Sequence, residues 1–209
     1  MSVFVLYHPD FLNHDTGPNH PECSDRLQAC VSTLKSCEFS NQLKWENPRC
    51  ATENELEWIH TKQYIQHVKS VCELGNGFID PDTPVSSDSY NIARMSAGAW
   101  MDGIDKVING SSAVVLSRPP GHHAESNRGM GFCLFSNAAL AAIYALKHND
   151  IKKVCIFDWD VHHGNGTQNI VQSNPNIAYA SIHQFPFYPG TGSQLESGDY
   201  NNVLNLPIP

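Results

Sequence analysis

Short apolar runs alternate with amphipathic stretches along the whole chain. Residues 3–7, 113–117, 154–157, 177–182 and 203–206 read as brief apolar segments bounded by Gly, Pro, Asn, Asp or Ser, the pattern of buried strands. Between them the period changes to that of helices. Ser24 or Asp25 is placed to cap a helix through Leu27, Cys30, Val31 and Leu34. Residues 53–59 and 62–74 are helical in pattern. Residues 91–108 form a longer helix, rich in small side chains at Ser96-Ala97-Gly98-Ala99 and ending near Gly110. Ser136 is placed to cap a helix over 137–147, and 165–172 predicts a short one. Strands alternating with helices predict a single α/β domain over 1–209 with a mainly parallel sheet. There is no internal repeat, low-complexity tract or linker.

In open α/β sheets, ligands bind beyond the carboxyl ends of the strands. Three predicted strand exits here are rich in chemistry-bearing residues. The strand at 113–117 leads into Arg118-Pro119-Pro120-Gly121-His122-His123. The strand at 154–157 leads into Asp158-Trp159-Asp160-Val161-His162-His163-Gly164-Asn165-Gly166. The strand at 177–182 leads into a Pro-, Gly- and aromatic-rich segment ending Tyr188-Pro189-Gly190-Thr191-Gly192. These exits are expected to converge at one edge of the sheet. Along an extended segment residues i and i+2 share a side, so Asp160 and His162 could both face one metal ion. Zinc takes imidazole nitrogen and carboxylate oxygen and keeps a coordination position open for water in catalytic sites. His122 and His123 suit proton transfer beside such a metal, with Asp158 orienting one imidazole.

Composition narrows the partners. Only 16% of residues are charged and the formal net charge is −8, with no basic run. Direct nucleic-acid binding is not expected, while a lysine-rich tail or a polyamine would be attracted. The seven cysteines are odd in number and form no Cys-x-x-Cys pair. They are expected to be reduced, mostly buried thiols of a cytoplasmic protein. The N-terminal residues show no signal-peptide pattern, and no segment is apolar enough to span a membrane.

The two His-containing segments together resemble the zinc-dependent histone deacetylase family, which includes acetylpolyamine amidohydrolases and acetoin-utilisation proteins and shares its fold with arginase. His8-Pro9-Asp10, His20-Pro21-Glu22, Arg26, His60 with Tyr64, and Gly131-Phe132-Cys133 extend the resemblance over nearly the whole chain. It implies a three-layer fold with helices on both sheet faces. It implies zinc held by Asp160 and His162, and tandem catalytic His122 and His123. Asp158 would pair with the first histidine, and Asn165 would stand behind the second, as in the class II pattern. Phe132 and Tyr188 would wall an acyl-lysine tunnel beside Gly131, Asp82 would hold substrate at the rim, and Arg26 would sit in an internal channel. The backbone around Asp158, Asp160 and His162, with Ser181 and Ile182, would hold structural potassium. The implied substrate is an acetylated lysine or acetylpolyamine.

The resemblance also implies a further aspartate ligand and an oxyanion-stabilising tyrosine or histidine, which this sequence does not supply. The chain is therefore expected to be the N-terminal portion of a deacetylase domain, incomplete at its C-terminal end and open to self-association through an unfinished sheet. Two other readings stay open: a catalytically incompetent remnant, and an arginase-like ureohydrolase. The order Asp158-x-Asp160-x-His162 favours a single metal over the paired manganese of the latter.

Overall fold

The computed structural model describes residues 3–209. In chain order the elements are β1 (Val3–Leu6), a 3₁₀ turn at Pro9–Asn13, α1 (Ser24–Ser36), a second 3₁₀ turn at Ser40–Gln42, β2 (Leu43–Glu46), α2 (Glu53–Leu56) and α3 (Lys62–Glu73). The hairpin strands β3 (Asn76–Asp80) and β4 (Thr83–Ser86) follow, then α4 (Ser89–Ile108), β5 (Ser112–Val115) and α5 (Asn137–Ala145). The last third holds β6 (Val154–Asp158), α6 (Asn165–Val171), β7 (Ile177–Gln184) and β8 (Val203–Ile208).

The expected strands form, and the pairing is parallel, but they make two sheets and not one. One sheet has the order β2-β1-β5 and the other β6-β7-β8, with β3-β4 a separate antiparallel hairpin. Strands β5 and β6 are both sheet edges, and a cavity of about 600 Å³ lies between them, floored by Trp100 and Ile104 of α4 and Ala138 and Ala141 of α5.

Two apolar clusters hold the helices in place. One joins Leu6 of β1 to Phe11, to Leu27 and Val31 of α1, and to Ile92 and Ala99 of α4. The larger one joins α3, α4 and α5 to the inner face of the second sheet through Ile177, Tyr179 and Val203. The small residues of α4 have a packing cause. A side chain at Gly98 would overlap the Arg49 carbonyl, and the same segment is tied to α4 by the Ala51 N–H to Arg94 C=O bond of 2.8 Å.

Helix starts depart from the sequence reading. Cys23 precedes α1 without a side-chain cap, so neither Ser24 nor Asp25 caps it. Ser136 does stand at the start of α5, but its hydroxyl is buried without a partner and its N–H donates to His60 Nε2. Side-chain caps do form at Thr61, which accepts from the Tyr64 N–H at the start of α3, and in the Thr52–Glu55 box that starts α2, a helix ending three residues earlier than its pattern suggests.

Helices do not cover both faces of the second sheet. Parallel strands are normally buried on both sides. In β7 the odd-numbered residues are buried while Ala178 is exposed and Ala180 half-buried. The register carries the same open side across the sheet, where Phe157 is 56% and Leu204 55% exposed. Cys155 is exposed on this face, which corrects the expectation of mostly buried thiols. Only Cys72 and Cys133 are buried, Cys30 and Cys50 are exposed, and Cys23 and Cys37 are half-buried. No described helix is long and apolar enough to cross a membrane.

Candidate active site

The chain leaves β6 at Asp158 and bends immediately. The Asp160 N–H donates to Asp158 Oδ1 at 3.1 Å, and the His162 N–H donates to Asp160 Oδ1 at 2.8 Å. These successive side-chain-to-backbone turns bring Asp160 Oδ1 to 3.4 Å from His162 Nδ1. The two side chains do face the same space, but turn geometry causes it, since the strand already ends at Asp158.

The β5 exit arrives from the other sheet. Its anchor is Arg118, buried and bidentate to Glu22 through Nε at 2.6 Å and Nη2 at 2.7 Å. A third Arg118 bond reaches the Phe11 carbonyl. Beyond it, the His122 and His123 rings stand 3.9 Å apart. His122 Nδ1 donates to Asp158 Oδ2 at 3.0 Å, because a carboxylate can only accept. His122 Nε2 is left 4.0 Å from Asp160 Oδ1. His123 Nδ1 lies 2.8 Å from Asn165 Oδ1, at the first residue of α6.

Burial sets the charge states. His123 is 3% exposed, and desolvation, reinforced by neighbouring His122, pushes its pKa down to about 4. For Asp158, burial acts upward. The hydrogen bond and charge of His122, the Asp160 N–H and the Tyr179 hydroxyl outweigh it, so the carboxyl titrates below its ordinary value.

Aromatic walls complete the site. Phe132 meets the His20 ring edge-on at 4.6 Å, and Tyr188 stands edge-on to His123 at 5.1 Å and to His162 at 5.7 Å. Phe132 has φ 69°, an uncommon left-handed conformation for a non-glycine residue. The hairpin holds it there. Phe132 N–H donates to Thr83 Oγ1 at 3.1 Å, and Gly131 N–H donates to Asp82 Oδ1 at 3.2 Å. Asp82 thus braces the wall from the β3-β4 turn. Gly131 itself has φ 56°, and a side chain there would run into the His123 imidazole.

A cavity of about 490 Å³ is lined by Glu22, Arg26, Asp82, His122, His123, Gly131, Phe132, Asp160, His162 and Tyr188. Asp158 and Asn165 stand behind its histidines. Ser181 is buried beside Asp158 by the β6-β7 register, its hydroxyl 2.9 Å from His183 Nδ1, while Ile182 lies on the opposite side of the strand. Arg26 touches the cavity with a largely exposed side chain, 3.7 Å from Glu22 Oε1, so the buried arginine of the region is Arg118. Cys133 is buried beneath, with its thiol pKa pushed up by desolvation, which suits packing and not nucleophilic attack.

Sequence reasoning missed three partners. Tyr179 donates to Asp158 Oδ2 at 3.2 Å, Glu22 pairs with Arg118, and Glu125 accepts from Asn165 Nδ2 at 2.9 Å. Glu22 and Glu125 had a local signal, in His20-Pro21-Glu22 and directly after His122-His123-Ala124, and Tyr179 had none.

The donor chemistry fits zinc as far as it goes. Asp160 and His162 offer one carboxylate oxygen and one imidazole nitrogen, side by side at the cavity. Among the described residues no group of three or more His, Cys, Asp or Glu is placed to hold a metal ion.

Parallel strands whose exits gather paired histidines, aspartates and aromatics define an α/β domain of the arginase/deacetylase-like class. Within it, the chain belongs to the histone deacetylase domain family, whose model matches residues 20–209. An uncharacterized protein of Synechocystis sp. is 50% identical over 99% of this chain and 69% of its own length. A probable deacetylase of Archaeoglobus fulgidus is 33% identical over 100% of this chain and 60% of its own. Histone deacetylase 15 of Arabidopsis thaliana is 40% identical over 90% of this chain and 36% of its own. The crystal structure of the HDA15 HD domain superposes with a TM-score of 0.93 at 36% identity, covering 99% of this chain and 61% of that one. The chain thus spans between about a third and two thirds of these relatives' lengths.

Proposed function

We propose that this chain supplies the histidine pair, two zinc ligands and the aromatic walls of a zinc-dependent amidohydrolase that removes acetyl groups from acetyl-lysine or acetylated amines. The carrying observation is the shared cavity of His122, His123, Asp160 and His162, with a carboxylate behind one imidazole and a carboxamide behind the other. Relatives named as deacetylases support the same reaction class. Asp160 and His162 would hold zinc, which when bound supplies Lewis acidity toward the amide carbonyl. With Nδ1 of His122 committed to Asp158, its Nε2 is free to accept a proton from attacking water and later deliver it to the departing amine. The C–N bond breaks, leaving acetate and a free amine. Phe132 and Tyr188 would flank the acyl-bearing chain, and Asp82 would act at the rim. The net charge of −8 favours cationic substrates such as lysine-rich tails or polyamines. Structural potassium beside Asp158, Asp160, His162, Ser181 and Ile182, and a cytoplasmic setting, belong to the same proposal.

The test is acetate release from an acetyl-lysine peptide and an acetylated polyamine by the zinc-loaded protein, with zinc content measured alongside. His162→Ala is expected to lose both zinc and turnover. His123→Ala is expected to retain zinc while turnover falls about 10²–10⁴-fold. A His162→Ala protein that keeps both overturns the assignment. The two-donor metal pair favours a second reading, a weak metal binder without turnover. Tight one-to-one zinc binding together with hydrolysis by this chain sinks that reading.

A further inference from the structure

Asn165 has two hydrogen-bonding ends, and each is engaged. Its Oδ1 lies 2.8 Å from His123 Nδ1, and its Nδ2 lies 2.9 Å from Glu125 Oε1. A carboxamide can turn over, exchanging a donor for an acceptor at nearly the same position. If it did so beside His123, the imidazole would be met by N–H and Nδ1 would have to accept. The ring proton would then move to Nε2, and the nitrogen left for proton transfer would be the one facing Asn165.

We propose that Glu125 is a positioning residue that fixes the tautomer of His123 by fixing the rotamer of Asn165. A carboxylate only accepts, so Glu125 Oε1 selects the Nδ2 end of Asn165. That choice leaves Oδ1 toward His123, makes Nδ1 the protonated nitrogen, and leaves Nε2 with its lone pair. The result matches what Asp158 does for His122 directly. Here the carboxylate acts one residue further back.

The Glu125 backbone is held on two sides, so the carboxylate has a defined origin. Its N–H donates to the Arg128 carbonyl at 2.8 Å, and its carbonyl accepts from His60 Nδ1 at 3.0 Å. His60 is fixed in turn, its Nε2 accepting the Ser136 N–H at 3.0 Å. The chain His60–Glu125–Asn165–His123 therefore ties the N-terminal approach of α3 to the cavity. The proposal deepens the amidohydrolase reading, because the tautomer matters most if His123 handles protons.

The experiment is long-range ¹H–¹⁵N correlation NMR on histidine-labelled protein at about pH 8, where an ordinary imidazole is neutral. The His123 signal is assigned by its loss in His123→Gln. The unsubstituted protein is expected to show His123 protonated at Nδ1 alone, and protonation at Nε2 overturns the proposal without any carboxylate variant. Glu125→Gln, whose amide can face Asn165 either way, is expected to lose most of the Nδ1–H signal to Nε2–H. Glu125→Ala should do likewise. The exchange Glu125→Gln with Asn165→Asp puts the carboxylate directly behind His123 and is expected to restore the Nδ1–H signal in full. If both single variants keep the full Nδ1–H signal, Glu125 does not set the tautomer. Should one single variant fail to fold, the other and the unsubstituted protein decide. Turnover does not enter this readout, so an inactive protein with the expected tautomers sinks the amidohydrolase reading alone.

Discussion

Asp158 accepts three hydrogen bonds, from His122 Nδ1, the Tyr179 hydroxyl and the Asp160 N–H. One side chain thus orients an imidazole and starts the turn that brings Asp160 to His162. Both aspartates were visible in the sequence as a motif, because short-range spacing alone creates that turn. Tyr179 was not, because it reaches Asp158 from a neighbouring strand. Gly131 is the residue where backbone and site are most closely coupled, with a positive φ and the His123 ring against its α-carbon. Gly131→Ala should destabilise the protein by at least about 1–2 kcal/mol from the left-handed backbone alone. Urea unfolding measures that loss, and a midpoint equal to the parent's would refute the backbone strain.

Among the elements, loops place the site more than helices or strands do. The β5 exit is fastened by the Glu22–Arg118 pair, both members being 2–3% exposed. Glu22 and Arg118 stood in separate recognisable motifs, but their pairing spans the domain and no local pattern joins them. Removing one member of a buried ion pair leaves the other uncompensated, at a cost of about 3–5 kcal/mol. Glu22→Ala is expected to show a loss of that size in chemical denaturation, and a change under about 1 kcal/mol, the range of exposed pairs, would contradict it. The β3-β4 hairpin escaped the sequence reading. Its strands are short, and Pro84 within β4 argues against a strand unless it lies at an edge, which a two-stranded hairpin allows.

At the scale of the whole molecule, acid should unfold the protein through its histidines first. His14, His60 and His123 are each pushed down to about 4, chiefly by burial. Unfolded histidine takes up its proton near pH ~6.5, so between there and about 4 the unfolded state binds more protons. Stability is then full above that upper limit and falls as pH drops through the window. The lowered carboxyls of Glu53, Glu196 and Asp158 add losses of the same sign at still lower pH. The urea midpoint should be lower at about pH 5 than at about pH 7.5, and an equal or higher value would refute the neutral-histidine picture. The open face of β6-β7-β8 makes a different prediction. Phe157, Leu204 and Leu206 form an apolar surface of the kind that drives association. Sedimentation velocity should show concentration-dependent self-association, reduced by Leu204→Lys with Leu206→Lys. A strictly monomeric parent would exclude this face as the cause.

The sequence by itself determined the α/β class, the parallel strands and the identity of the residues around the cavity, because periodicity and short motifs are local properties of the chain. Only the tertiary structure decided that the strands split into two sheets, that one sheet face stays open, and that Glu125 stands behind Asn165. Those outcomes depend on contacts between segments far apart in the chain, such as Asn165 with Glu125 and Arg118 with Glu22, whose energies no local pattern encodes.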